Sequence, residues 1–313
     1  MGESELHPSP PFFHRFAFAF AKNGWRGSQF VWKAAYRLQK VKDGHSIRLS
    51  NGFPLLTDGN DWISKTIYEG TYERALLSFL SGLELEGKYI DVGANIGVTL
   101  WHSLKGSKPT ATFMVFEPST QCLKGLGNTR MDISNQGQIF DFAIGNTDGI
   151  ATLFGLDNEA HSGAASLAEH PGIRGGQGEV QVHKLDTILG ELTGNQTISL
   201  LKIDTEGYEA QVVKGANETL LSGAVEIIVM EVSPNFGSVE FLAEVDKLLS
   251  GKYCWFYLDE HGKLRKTPYL LEIDLRQALK YSHQWNLVLM RKDVFAKYEK
   301  SRGRIRINSI STK

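Results

Sequence analysis

The chain has only two cysteines in 313 residues, Cys122 and Cys254, and they stand far apart. That is too few for a disulfide framework or a cysteine-based zinc site, and it fits a reduced cytoplasm. No uninterrupted apolar run reaches the ~18 residues that would suggest a membrane span. The opening MGESELHPSPPFF carries acids where a secretory signal would carry bases, so export is not expected. Between Leu6 and Lys42 acids are absent altogether, while seven Lys or Arg occur. The stretch 291–313 holds eight bases against two acids. With an overall net charge of −1, the middle of the chain, 43–290, is left with −12. An acidic body with two basic ends implies ends that meet something anionic or fold back on the body.

What is present points to a packed α/β protein. A hydrophobic content of 42% supports a real core, and 11% aromatic residues argue against disorder. The length suits one large domain with extensions, or two small ones. The N-terminal stretch FFHRFAFAFAKNGWRGSQFVWKAAYRLQKVK mixes nine aromatics with its bases and reads as two helical pieces broken near Asn23-Gly24. Three uses are open to it: a cap packed on the body, an interfacial helix touching anionic lipid or a lipid-linked substrate, or a single-stranded nucleic-acid contact.

From residue 88 the rhythm is regular. KYIDVGA, ATFMVFEP, QIFDFAIG, ISLLKIDT and VEIIVMEV are apolar strands, and helices are expected at Ile96–Leu104, from Ser119, at Tyr208–Leu221 and at Ser238–Leu249. YCWFYLDEHGK and WNLVLMRKD close the chain as an antiparallel pair. Such alternation predicts a doubly wound, mostly parallel sheet with ligands at the carboxyl ends of the strands. The insertion 146–197 differs. Its strands GIATLFGL and EVQVHKL flank the Gly-rich HSGAASLAEHPGIRGGQGE, which is expected to act as a substrate lid, with His161 and His170 as candidate substrate contacts. His183 precedes a helix whose N-cap is expected to be Asp186.

The most specific motif is DVGANIG, Asp91–Gly97. A strand that turns through Gly93 and Gly97 into a helix lets the backbone approach a ligand closely. The dinucleotide pattern G-x-G-x-x-G is broken, because its middle glycine is missing, and Asp91 would repel a pyrophosphate. The same carboxylate suits a cation such as the ammonium or sulfonium of S-adenosylmethionine. Glu117 ends the next strand, 26 residues on, where an acid can accept both ribose hydroxyls.

Together, DVGANIG, FEPS, VHKLDTIL, LLKIDTEGYEAQVVKGA and IIVMEVSP, with the lead-in DWISKTIYEGTYERALLSFL, resemble the FkbM-type S-adenosylmethionine-dependent methyltransferases. The resemblance runs from about residue 58 to 292 and leaves 1–57 as a basic helical extension and 293–313 as a basic tail. It implies a seven-stranded Rossmann-like sheet, with the cofactor at Asp91, Gly93, Asn95 and Gly97 and its ribose on Glu117. The adenine would lie near Asp141–Ala143, held by Asp141 or by the backbone of that turn, and Glu73 of the G-x-Y-E segment near the methionine end. It also implies transfer to a hydroxyl on a sugar of a polysaccharide, glycolipid or natural product; composition and the basic N-terminal segment, which lies outside the resemblance, point to the cytoplasm or the inner face of the membrane. A nucleic-acid methyltransferase is the first alternative, disfavoured by the acidic middle. A non-catalytic binding module on the same fold is the second.

KIDTEGYE, residues Lys202 to Glu209, sets three acids after a buried strand. Leu200, Lys202 and Asp204 share one side of that strand. A buried Lys202 needs a carboxylate, and Asp204 or Asp91 can supply one. Asp204, with Glu206 as helper, could remove the proton of an acceptor hydroxyl. Asp204 and Glu231 could instead hold a divalent cation such as Mg2+, or all three could be structural. Glu209 falls in a first helical turn, where acids favour the helix dipole.

Overall fold

The computed structural model describes residues 46–49, 52–56, 62–155, 165–168, 176–192, 197–232, 238–249, 251–259, 261–266, 285–300 and 305–306. The central sheet has eight strands: β1 (Lys88–Val92), β2 (Thr112–Phe116), β3 (Gly137–Phe140), β4 (Ile198–Ile203), β5 (Val225–Val232), β6 (Tyr253–Leu258), β7 (Leu264–Lys266) and β8 (Trp285–Arg291). Their order is β7-β6-β8-β5-β4-β1-β2-β3. The five strands from β5 to β3 are parallel, and β8, β6 and β7 are antiparallel to their neighbours. The short β7 makes the sheet one strand wider than expected.

Every residue of β1, β4 and β5 is buried, which is why these segments read as continuous apolar runs. The two-residue alternation of strands sends neighbours to opposite layers. Tyr89, Leu200 and Val229 join a core with the helices Trp62–Glu69, Arg74–Ser81, Val98–Lys105 and Thr120–Met131. Ile90, Leu201 and Met230 join a second core with Leu185–Leu192, Glu209–Gly215, Asn217–Ser222 and Ser238–Leu249. Each fully buried aliphatic side chain contributes roughly 1.5–3 kcal/mol, so the two layers hold the sheet from both sides.

Several expectations are corrected by tertiary context. QIFDFAIG is not one strand. β3 ends at Phe140, and after an Asp141-Phe142 bend Ala143–Ile144 joins a separate sheet with Gly149–Phe154 and Gly176–His183. Phe142 drives the bend by packing on Phe116, Phe140 and His183. The helix expected over Tyr208–Leu221 is two, broken at Ala216. Of the basic extension, Ser46–Arg48 and Pro54–Leu56 form an antiparallel pair rather than helix, and Phe53 and Leu55 are buried in the core. The helices read over residues 12–42 lie outside the described residues. The segment after residue 292 is not a free tail. Lys292–Lys300 is a helix that buries Val294, and Ile305–Arg306 pairs with Leu83–Glu84.

Asp186 does not cap its own helix. It sits second in Leu185–Leu192 and accepts from Glu218 N (2.9 Å), Thr219 N (2.9 Å) and Thr219 Oγ1 (2.7 Å), capping the neighbouring helix instead. Asp186→Ala should cost about 1–2 kcal/mol. Thermal melting should show a drop of roughly 3–6 °C, with affinity for S-adenosylhomocysteine unchanged.

Candidate active site

The carboxyl ends of the parallel strands open into a cavity of about 460 Å3. One end is formed by the turn after β1. Gly93 has φ 81°, and a Cβ there would lie 1.8 Å from the Asp204 carbonyl oxygen, so only glycine lets the ends of β1 and β4 come this close. Asn95 has φ 52° and donates its N–H to Glu117 Oε2 (2.8 Å), while Ser119 N donates to Glu117 Oε1 (2.8 Å). Ser119 caps the helix Thr120–Met131, which starts where it was expected. Burial lifts Glu117 to about 7, against the pull of these two N–H groups. Gly93, Asn95, Glu117 and Ala143 all line the cavity, beside Phe116 and Ile144. A fixed carboxyl next to an apolar slot fits a ribose and an adenine, so these residues suit the expected cofactor.

Three of the expected cofactor residues do not line the cavity. Asp91 is 0% exposed, and its oxygens accept from Tyr89 Oη (2.5 Å), Thr99 Oγ1 (2.7 Å) and Lys202 Nζ (3.2 Å). It supports the turn from behind. Gly97 (φ 83°) starts the next helix, where a Cβ would press on Leu126 and Thr129. It serves helix packing. Asp141 lies exposed at the bend where the chain leaves the main sheet.

The other end is acidic. Lys202 Nζ lies 3.2 Å from Asp91, 3.1 Å from Asp204 and 3.2 Å from the Gly93 carbonyl oxygen. Both carboxylates that the sequence offered are therefore used. Burial alone would lower the Lys202 pKa, but Asp204 and Asp91 more than reverse this and leave it raised. Asp204, Glu206 and Glu231 each present an oxygen within 4.8 Å of the others. Burial, then Asp204 and Glu209, push Glu206 to about 8. Burial, then Asp204 and Glu206, push Glu231 well above the usual carboxyl range. Glu73 is also raised, by burial and then Asp204, and it accepts from Asn286 Nδ2 (3.0 Å).

Glu73, Asn95 and Glu206 are the non-glycine residues with positive φ among the described residues, and all three line this cavity. Strained backbone of this kind gathers where a site must hold a group in place. Tyr72, Ser166 and Tyr208 also line the cavity and were not assigned from sequence, although Tyr72 stands inside the G-x-Y-E segment. His183 pairs with Asp148 (3.4 Å) and packs on Phe142, a structural role. His161 and His170 lie outside the described residues.

The family model described as the FkbM methyltransferase domain matches residues 91–263. The 2-O-methyltransferase NoeI of Sinorhizobium fredii is 28% identical over 142 residues, 42% of this chain and 58% of that protein. The chain thus spans little more than half of that relative. Among solved structures, an S-adenosylmethionine-dependent O-methyltransferase from Thermotoga maritima overlaps with a TM-score of 0.36 at 10% identity, covering 82% of this chain and 81% of that one. A precorrin-6y C5,15-methyltransferase from Geobacter metallireducens gives 0.36 at 10% identity, over 72% and 89%. These overlaps are low, and the fold rests on the strand order above.

Because Glu206 and Glu117 bind protons more tightly when folded, stability should fall as pH rises from about 4.5, the unfolded value, through about 7 and 8. Melting of the protein without ligand should therefore be highest at the acid end of this window. Glu206→Gln should flatten the upper part of the decline.

Proposed function

Since the chain belongs to the FkbM methyltransferase family, whose chemistry depends on S-adenosylmethionine, we propose that it methylates a hydroxyl group on a sugar of a polysaccharide, glycolipid or glycosylated natural product. The observation that carries this reading is the cluster of Asp204, Glu206 and Glu231 on the same cavity that Glu117 lines. The cofactor supplies a methyl group made electrophilic by its sulfonium. A hydroxyl is a poor nucleophile until a base takes its proton in the transition state.

Asp204, with its side chain 23% exposed, lines the cavity while paired to Lys202. It can accept the hydrogen bond of the acceptor hydroxyl. Glu231 shares a side-chain hydrogen bond with Asp204, and burial with the neighbouring charges keeps Glu206 and Glu231 protonated more readily than ordinary carboxyls, so the released proton goes to Asp204. Tyr72 and Tyr208 provide aromatic walls that suit a sugar ring. NoeI, a 2-O-methyltransferase by name, supports the O-methylation.

A base fits this cluster better than a metal does. Lys202 already places a cation against one oxygen of Asp204, which offsets part of the negative charge a metal would otherwise be needed to balance. A nucleic-acid acceptor is opposed by the four acids at this end, which would meet a polyanion. Among the described residues no helix is long and apolar enough to cross a membrane, and contact of the N-terminal segment with anionic lipid remains part of the proposal for residues outside them.

Asp204→Asn should cut methyl transfer to a glycan acceptor by roughly 10²–10⁴-fold, with the affinity for S-adenosylhomocysteine in calorimetry kept. Near-normal turnover would make Asp204 structural. Turnover should also survive EDTA; loss restored by Mg2+ would replace the base with a metal. Glu117→Ala should weaken S-adenosylhomocysteine by more than tenfold, and unchanged affinity would overturn the ribose assignment.

A further inference from the structure

β4 ends at Ile203 and the next helix begins at Glu209, so five residues must turn the chain at the acidic end of the cavity. Within that turn Glu206 has φ 53° and Gly207 has φ 97°. A turn of this kind leaves backbone N–H groups outside any helix or strand ladder, and a carboxylate can gather them. Glu209 provides one. Its Oε1 accepts from Thr205 N (2.8 Å), Thr205 Oγ1 (3.1 Å) and Gly207 N (3.1 Å), donors that stand on either side of Glu206. Glu209 is itself buried, at 8% exposure. An acid that merely favoured a helix dipole could stay in solvent and would need none of these donors. From the other side, Ser166 of the insertion donates Oγ to the Thr205 carbonyl oxygen (3.2 Å). The peptide units flanking Glu206 are thus held from both sides.

We propose that Glu209 is a positioning residue, which holds the turn in its left-handed form and thereby presents Glu206 to the acceptor. The inference rests on the reading of this end as the place where the hydroxyl is methylated, and it assigns Glu209 a role beyond helix capping. Glu209 does not line the cavity; it acts through Thr205 and Gly207. The requirement is for an acceptor oxygen at Oε1 rather than for charge.

Substitutions at 209 separate these roles without any methyl acceptor. Carbon-13 NMR of the side-chain carboxyls, with Glu206 assigned by its disappearance in Glu206→Gln, should find Glu206 titrating at about 8 in the unaltered chain. In Glu209→Gln the amide oxygen still takes the three hydrogen bonds, so Glu206 should stay above roughly pH 6, clear of its ordinary value. In Glu209→Leu the turn opens to water, and Glu206 should fall by roughly two pH units or more. An unchanged titration in a folded Glu209→Leu protein overturns the proposal, as does a Gln variant that behaves like Leu.

Melting supplies the second measurement. Glycine adopts positive φ without strain, so Glu206→Gly should need the clamp less. Glu209→Leu should lower Tm by several degrees alone and by less than half as much with Glu206→Gly. Equal losses, or failure to fold in both backgrounds, also overturn it. Neither readout involves methyl transfer, so their failure leaves the proposed O-methylation standing. Failure of the Asp204→Asn prediction would leave the clamp intact.

Discussion

The buried ammonium of Lys202 is the interaction on which the cavity depends. It lies in a strand whose residues are all buried, with its side chain 3% exposed. A lone charge there would cost several kcal/mol. Three acceptors offset that: Asp91 on the neighbouring strand, Asp204 at the end of its own strand, and the Gly93 carbonyl. Asp91 in turn holds Tyr89 and Thr99, the latter at the start of the helix after the glycine turn. The glycine turn and the acids of the cavity therefore belong to one hydrogen-bonded unit. Without the lysine, two carboxylates of adjacent strands would face each other unpaired.

That unit explains how four acids can share one end of a cavity. Lys202 neutralises part of the charge, and the raised proton affinities of Glu73, Glu206 and Glu231 reduce the rest. Like charges this close cannot all ionise in a low-dielectric setting, so the protons are distributed over the group. The same repulsion that would destabilise the fold becomes an asset for chemistry. A carboxyl held near neutral pH by its surroundings exchanges protons readily with a hydroxyl that is losing its own.

The fold supplies the geometry in a consistent way. Parallel strands end together, and the acids that close β2, β4 and β5 converge because those strands share one edge of the sheet. Glycine at 93 permits the backbone contact between β1 and the residue after β4. The insertion adds a second small sheet beside the main one, and its Ser166 reaches the acidic turn. Strained backbone is confined, among the described non-glycine residues, to three positions on this cavity. The packed layers on both sides of the sheet make such strain affordable.

The parallel strands, the glycine turn and the pairing need of Lys202 could be read from sequence, since each follows from local pattern or from the cost of burying a charge. Apolar runs that end in Asp91, Glu117, Asp204 and Glu231 already mark the edge where the site lies. Other assignments needed the tertiary structure. Whether Asp91 meets a ligand or supports the turn depends on Tyr89, Thr99 and Lys202 closing around it, and no spacing encodes that enclosure. Asp186 has the local look of a cap, but which helix it caps depends on two helices packing side by side. Asp141 is turned out by the packing of Phe142. Glu209 looks like an ordinary helix start until Thr205 and Gly207 are seen folded back onto it. Local sequence determined which groups stand at the strand ends; long-range packing decided which of them face the cavity and which hold the others in place.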